Sequence, residues 1–445
     1  MKRTAIEFLK RWQHKKNRSP LILRGARQVG KTFIVEEFGQ RCFDNVLKIN
    51  FEEEPKAASF FEDLDPQVII QGISLSKKES IIPGKTLLFL DEVQNCPQAI
   101  VSLRYFKEKL PALHVIAAGS LLEFALKNEL ISIPVGRVEF LYLKPLSFKE
   151  FLIALGYENL QQHLQTVSVK SPLASALHDE LIKLVRQYFI IGGMPAAVVE
   201  YLRSKDWLEC QRVQNNLLQT YQYDFGKYAP LAQHKYLQRL FDRVPYLICQ
   251  TFKYVSVDPE FRSREIKSAL QLLQDAGLIY QVYASSAAGL PLRAQINEKK
   301  FKLLFIDIGL AQRNLQMDSL ILNASEMLTQ INAGQLAEQF VGQELLAYHD
   351  ECIEAHLHYW ERDAKNSMAE VDYVIQVDHY VLPIEVKSSK AGRLKSLQLF
   401  MQEKKSKMGI KISQESLNWQ NNILTVPFYL ISEIPRLVAE FISST

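Results

Sequence analysis

The chain has 445 residues, and 53 Lys plus Arg against 49 Asp plus Glu leave a net charge of +4, so whole-chain charge points to neither a polyanion coat nor an acidic tail. A hydrophobic share of 47% with 23% charged residues is globular composition and excludes a disordered chain. Five widely separated cysteines give neither a disulfide framework nor a zinc pattern, so a reducing cytoplasm is the expected compartment. At roughly 150 residues per domain, the length suggests about three domains.

The N-terminal stretch Met1 to Ser19 sets Lys2, Arg3, Lys10, Arg11, Lys15, Lys16 and Arg18 around Ile6, Phe8, Leu9 and Trp12. It reads as a solvated amphipathic helix rather than a targeting leader, because Glu7 interrupts it and a phosphate-loop motif follows closely. Apolar runs such as Leu87 to Leu90 fall far short of the roughly 20 residues that span a bilayer, so no membrane is expected as a partner.

From Ser19 to Lys144 short apolar runs alternate with helical stretches, the pattern of βαβ units and a parallel sheet in an α/β fold. The expected strands are Leu21 to Arg24, Val46 to Asn50, Thr86 to Leu90 and His114 to Ala118. Residues 145–230 turn helical, with Phe148, Phe151, Leu152, Leu181, Leu184, Val185 and Phe189 at spacings of three and four, and read as a helical lid. Residues 231–325 give helices, then a run from Gly277 to Tyr283, a loop at Ser285 to Pro291 and a run from Phe301 to Asp307. That outline is a winged helix, with Arg262, Arg264 and Lys267 as its most basic face. Residues 326–445 give a helix, Leu336 to Tyr348, then strand-like runs at Ile353 to Trp360, Val371 to Val377 and Tyr380 to Lys387, a separate α/β domain.

Gly25-Ala26-Arg27-Gln28-Val29-Gly30-Lys31-Thr32 fits G-x-x-x-x-G-K-[ST] and lies between an apolar strand and a helical run, the context this motif requires. Its backbone amides face phosphate oxygens at a helix N-terminus. Lys31 reaches the β- and γ-phosphates, and the Thr32 hydroxyl ligates Mg²⁺. A second signal is Thr86 to Glu92, where an apolar strand delivers Asp91 to the Mg²⁺ shell and Glu92 to the water that attacks the γ-phosphate. Ser120, after the strand His114 to Ala118, is placed to bond the γ-phosphate or that water, or to cap the helix Leu121 to Leu130. Arg137, in a loop with apolar flanks, is a candidate to neutralise transition-state charge in cis or from a neighbouring subunit, which makes a homo-oligomer a possible partner state. Arg27 more plainly covers the loop's outer surface.

The order GARQVGKT, LLFLDEVQ, AAGSLLEF, GRVEFLYLKPLSFKEF and YFIIGGMP resembles the AAA-type ATPases of bacteria and archaea that carry a restriction-endonuclease-like C-terminal domain. The resemblance implies a P-loop AAA-type sheet with helices on both faces and ATP as the ligand. Gly30, Lys31 and Thr32 then bind phosphate, Asp91 and Glu92 form the second motif, and Ser120 is the sensor. In related signal-transduction ATPases a Gly-x-Pro turn contacts the nucleotide, which gives Gly193, Met194 and Pro195 that part. No second sensor arginine stands out in the helical segment.

Val371 to Val377 and Tyr380 to Lys387 read as a hairpin turning at Asp378-His379. That turn sets Asp372 opposite Glu385, with Cβ atoms roughly 4.5 to 5.5 Å apart, a spacing that suits two carboxylates sharing one Mg²⁺. Lys387 falls on the same face as Glu385, and Pro383 threatens the register. With Glu338 on the preceding helix, the arrangement resembles the restriction-endonuclease-like core, in which the helix acid, the hairpin acid, the E-x-K acid and the lysine are all used. Glu344, two turns down that helix, is the rival for the helix acid and is expected instead to be solvated.

Two functions compete. One is an ATPase whose nucleotide state acts on a nuclease-like domain that binds or cleaves DNA. The other is an ATP-dependent switch whose partner is DNA or a protein and which cuts nothing. A small-molecule kinase is disfavoured by the water-activating pair Asp91-Glu92.

Overall fold

The computed structural model describes every residue except 128–133, 135, 317–332, 363–368, 389–393 and 443–445. The end of the helix expected from Leu121 to Leu130, and Val135 beside Arg137, fall outside the described residues. The chain divides into two compact units. The first contains Met1–Lys144 together with two later segments, Gln274–Leu278 and Asp350–Glu354; the second contains the rest.

The first unit runs α1 (Ala5–Gln13), β1 (Leu21–Arg24), α2 (Lys31–Cys42), β2 (Asn45–Asn50), α3 (Pro66–Lys77), β3 (Thr86–Asp91), α4 (Pro97–Lys109), β4 (His114–Ala118), α5 (Leu122–Lys127) and β5 (Glu139–Tyr142). Its five strands are ordered β2-β3-β4-β1-β5, with every pairing parallel. β3 and β4 are buried at every position, as strands covered on both faces must be. Ile22, Leu88, Leu90, Val115 and Ala117 meet Phe61, Ile69, Ile73, Leu103 and Phe106 in one core. Each large side chain buried there contributes roughly 1.5–3 kcal/mol. The first helix is less solvated than its charges suggest. Ile6, Leu9 and Trp12 are buried on one face, and the Trp12 indole N–H donates to Ser19 O at 2.9 Å.

β4 lies between β1 and β3, so the loop leaving β1 opens at the carboxyl edge beside the ends of β3 and β4. Parallel sheets gather ligands at such a position.

The second unit begins with helices α6 (Phe148–Ala154), α7 (Glu158–Leu164), α8 (Ser175–Ile191), α9 (Pro195–Ser204), α10 (Trp207–Tyr223), α11 (Phe225–Tyr228), α12 (Leu231–Leu247) and α13 (Ser263–Asp275, whose last two residues belong to the first unit). There follow β6 (Ile279–Ser285), β7 (Ile296–Phe305), α14 (Ile308–Asn314), a helix at Ala333–Ala347, β8 (Leu357–Glu361), β9 (Glu370–Val377), β10 (Tyr380–Val386), a helix at Lys395–Glu403, β11 (Gly409–Ser413), β12 (Asn418–Gln420), β13 (Ile423–Pro427) and a helix at Ile434–Ile442. The eight strands form one sheet, β12-β13-β11-β10-β9-β8-β6-β7.

The hairpin expected as a wing is the edge of this sheet rather than a free ribbon. β6 pairs antiparallel with β7 and parallel with β8, Val282 opposite Leu357. A lone two-stranded ribbon is marginal in water, and pairing with β8 satisfies the second edge of β6. The boundary expected between residues 325 and 326 therefore falls within the strand sequence of a single sheet.

Among the described residues no single helix is long and apolar enough to cross a membrane.

Candidate functional site

The loop after β1 closes through left-handed backbone at Gln28 (φ 68°) and Gly30 (φ 94°), and Gly30 is the N-cap of α2. α2 thereby points its unpaired N-terminal amides at the mouth of the loop, the arrangement that binds phosphate. Lys31, the first residue of that helix, is buried and donates to Gly25 O at 2.9 Å and Ala26 O at 2.8 Å. Burial pushes its ammonium down to about 8, against the pull of Glu92 and Asp91. A phosphate anion at the loop would supply a counter-charge in place of the hydration that burial has removed.

Thr32 Oγ donates to Asp91 Oδ2 at 3.0 Å, so the two oxygens that the sequence assigns to Mg²⁺ already adjoin. That donor set, a hydroxyl and one carboxylate at the edge of a phosphate loop, fits the ion. Burial raises the Asp91 carboxyl above its ordinary range, although the Thr32 bond and the Lys48 charge oppose the rise. Lys48, on the neighbouring β2, lies 3.4 Å from Asp91 Oδ2 and 2.9 Å from Glu36 Oε1.

Glu92 follows in a left-handed conformation (φ 50°, ψ 44°), uncommon for a residue with a side chain and typical of functional turns. Its Oε2 accepts from Gln94 Nε2 at 2.6 Å, Ser120 Oγ at 3.1 Å and Ser120 N at 3.4 Å. Burial pushes this carboxyl up, but the bonds from Gln94 and Ser120, with the Lys31 charge, more than offset it and hold it below its ordinary value. The Ser120 hydroxyl is thus given to Glu92. The structure gathers Lys31, Thr32, Asp91, Glu92 and Ser120 at one sheet edge.

Arg137 is placed elsewhere. β5 starts beside Leu21, at the opposite end of β1 from the loop, and Arg137 precedes β5. It is half-exposed and ion-paired with Glu108 at 2.8 Å. Strand direction therefore sets Arg137 at the end of the sheet away from this chain's own phosphate loop. Pro195 opens α9 in the second unit. There the preceding Gly193 N donates to Asp307 Oδ2 at 2.6 Å, and Met194 is fully buried.

Sequence reasoning missed three side chains at the nucleotide site. Arg3 is buried and donates to Val29 O in the loop at 3.2 Å and to Lys144 O at 2.6 Å, bracing the loop's backbone. Lys48 was hidden within a strand, and Gln94 within a turn. A lysine inside the apolar run Val46 to Ile49 was the one available signal.

In the second unit, β9 and β10 pair Ile384 with Tyr373 and Pro383 with Val374, the register that the two-residue turn requires, and Pro383 does not shift it. Asp372 Oδ2 accepts from Val386 N at 2.7 Å, and Lys387 Nζ donates to Glu385 Oε1 at 2.6 Å. Burial and the neighbouring Asp372 push the Glu385 carboxyl up to about 7, and its Oε2 is buried with no partner.

Glu338 departs from its expected role. Its Oε1 is bound at 2.8 Å by Lys302, a buried lysine on β7 that also reaches Glu370 at 2.6 Å. The ammonium takes the position of a counter-charge to the helix acid, and among the described residues no three His, Cys, Asp or Glu side chains converge on a metal. Asp372 and Glu385, with the unpartnered Oε2, are the pair that still suits a divalent cation, since Mg²⁺ sites commonly use only one or two carboxylates.

Glu344 is buried, not solvated. Both its oxygens accept from Phe148 N, at 3.0 and 3.1 Å, and Tyr348 donates to it at 2.6 Å. It satisfies an unpaired amide at the start of α6, while burial pushes its carboxyl up to about 8.

Residues 17–152 match the family model of an AAA domain. Residues 182–320 and 333–431 match two domains of unknown function (DUF8612 and DUF4143). No curated protein matches the chain. Among solved structures it is similar to the Walker-type ATPase PABY2304 of Pyrococcus abyssi, at 14% identity over 70% of this chain and 94% of that one, with a TM-score of 0.43. It is also similar to the Aeropyrum pernix ORC2 protein, at 11% identity over 69% and 88%, with a TM-score of 0.36. A third is AMPPCP-bound DnaA from Aquifex aeolicus, at 14% identity over 61% and 88%, with a TM-score of 0.30. On the family match and the loop's geometry, the chain carries an AAA-type ATPase domain that binds and hydrolyses ATP.

Proposed function

We propose that the residues of this ATPase site divide the work as follows. The amides of Gly25 to Thr32 and the Lys31 ammonium hold the triphosphate, while Thr32 and Asp91 hold Mg²⁺, which supplies charge neutralisation to the β- and γ-phosphates. Glu92 takes the proton of the attacking water, and Ser120 anchors one oxygen of Glu92. The observation that carries this reading is the convergence of Thr32 on Asp91 and of Ser120 on Glu92 beside Lys31. Lys31→Ala should abolish ATP binding, whereas Glu92→Gln should bind ATP and hydrolyse it at least about a hundredfold more slowly, the usual worth of a general base. Unchanged turnover in Glu92→Gln would put the base elsewhere.

Nucleotide state is read by the C-terminal chain through the turn Gln274–Leu278, which packs in the first unit: a Cβ added at Gly277 would lie 3.3 Å from Ala26 N in the phosphate loop. The next residue begins β6. On the nuclease-like reading, Asp372 and Glu385 hold a second Mg²⁺, a Lewis acid toward a phosphodiester, and Lys387 orients water. The engagement of Glu338 by Lys302 favours the other reading, an ATP-dependent interaction switch without cleavage. Mg²⁺-dependent DNA cutting by the wild type that is lost in Lys387→Ala would select the nuclease. Equal backgrounds from both proteins would select the switch.

A further inference from the structure

Gln94 lies outside the phosphate- and metal-holding residues named above, yet its side chain is held in one orientation with its oxygen unpartnered. A carboxylate has no hydrogen to give, so the bond of 2.6 Å to Glu92 Oε2 obliges the Gln94 amide to present Nε2. Its carbonyl oxygen is then turned against Gly119, buried and without a partner. A Cβ at residue 119 would stand 2.2 Å from that oxygen, so only glycine leaves the amide room. The turn makes the reach possible: Glu92 is left-handed, and the single 3-10 turn that follows, Val93–Asn95, brings residue 94 back over the end of β3. An unpartnered buried acceptor weakens a fold. The charge-assisted bond to the partly buried Glu92 carboxylate offsets that cost, so the glutamine's contribution lies in holding Glu92.

The donors at Glu92 show what the glutamine does. The bonds from Gln94 and from the amide and hydroxyl of Ser120 all fall on Oε2, which leaves Oε1 as the oxygen to receive a proton. Two donors from Ser120 alone come from one residue at the end of β4 and leave the carboxylate free to swing about them. Gln94 adds a third donor from a different element, the turn that carries Glu92 itself. We propose that Gln94 is a positioning residue for ATP hydrolysis, which locks the rotation of the Glu92 carboxylate so that Oε1 faces the attacking water. The proposal rests on Glu92 being the base.

Steady-state ATP hydrolysis and thermal unfolding should be measured for the full chain as wild type, Gln94→Met, Gln94→Glu, Glu92→Gln and the double variant Glu92→Gln/Gln94→Met. Methionine keeps the length of glutamine and removes both the donor and the orphaned oxygen; glutamate keeps the shape and removes the donor. The expected result is a fall of roughly tenfold or more in kcat for both single changes at residue 94, with KM within about twofold. Gln94→Met should remain fully folded at the assay temperature, so that the loss of kcat exceeds any loss of folded protein. In the Glu92→Gln background, Gln94→Met should change kcat no further, because its effect passes through Glu92. The proposal is overturned if Gln94→Met keeps or raises kcat, if it lowers kcat equally in the Glu92→Gln background, or if activity is lost only in step with unfolding. If Glu92→Gln itself turns over like the wild type, it is the base assignment that has failed.

Discussion

Burial sets the charge of the loop lysine, and this gives a pH dependence of known sign. The Lys31 ammonium is pushed down to about 8, so above that pH a growing share of nucleotide-free protein carries a neutral amine. Bound phosphate requires the charged form, so affinity for Mg·ATP should be flat below pH 8 and weaken between pH 8 and 9.5, with proton uptake on binding. Calorimetry in buffers of different ionisation enthalpy measures both. In the second unit Glu344 acts on stability. Its carboxyl, pushed to about 8, holds its proton in the fold far above the unfolded range of about 4.3. The stability it contributes is complete below that range and is lost as pH rises through 8. Glu385, raised to about 7, acts in the same direction, and His358, pushed down to about 4, has no further effect above 6.5. The unfolding temperature of the second unit should therefore fall from pH 6.5 to 8, and Glu344→Gln, which keeps an acceptor for Phe148 N, should flatten that slope.

At the scale of elements, the turn Gln274–Leu278 is the clearest target. Gly277 has φ +71°, and any added Cβ meets Ala26 at 3.3–3.4 Å. Gly277→Val should push on the phosphate loop and strain its own backbone, and should weaken Mg·ATP binding about tenfold, the equivalent of the one to two kcal/mol such strain costs. Unchanged affinity would show that this turn does not support the loop. Elements also explain what was legible in the sequence. β1, β3 and β4 were readable because doubly covered strands are unbroken apolar runs. β5, Glu139 to Tyr142, was not, because it ends the sheet and three of its four residues are only partly buried. The β9–β10 register followed from a two-residue turn, since that turn leaves one pairing. Lys302 on Glu338 could not be foreseen, because β7 joins the sheet through contacts remote in sequence. For the same reason Gln94 was invisible: its meaning depends on a left-handed residue two positions earlier and on a glycine at the end of another strand.

For the molecule as a whole, the chain passes twice from the second unit back into the first, at Gln274–Leu278 just before β6 and at Asp350–Glu354 just before β8. In the latter segment Glu351 O accepts from Tyr142 N of β5 at 2.8 Å. Two strands of the eight-stranded sheet thus follow directly on segments that belong to the first unit. Arg137 sits at the end of its own sheet opposite the loop, a position that suits service to the site of a neighbouring subunit. If it serves there, Arg137→Ala should lower kcat without changing ATP affinity, and adding it to Lys31→Ala protein should restore part of the lost turnover in mixed assemblies. No recovery on mixing would confine Arg137 to its ion pair with Glu108.

The most direct measurement is binding and turnover of Mg·ATP side by side on three proteins: wild type, Lys31→Ala and Glu92→Gln. The account predicts heat of binding and hydrolysis for the wild type, neither for Lys31→Ala, and binding with almost no hydrolysis for Glu92→Gln. A well-folded wild type that gives no heat with Mg·ATP, or a Glu92→Gln protein that hydrolyses at the wild-type rate, would contradict it.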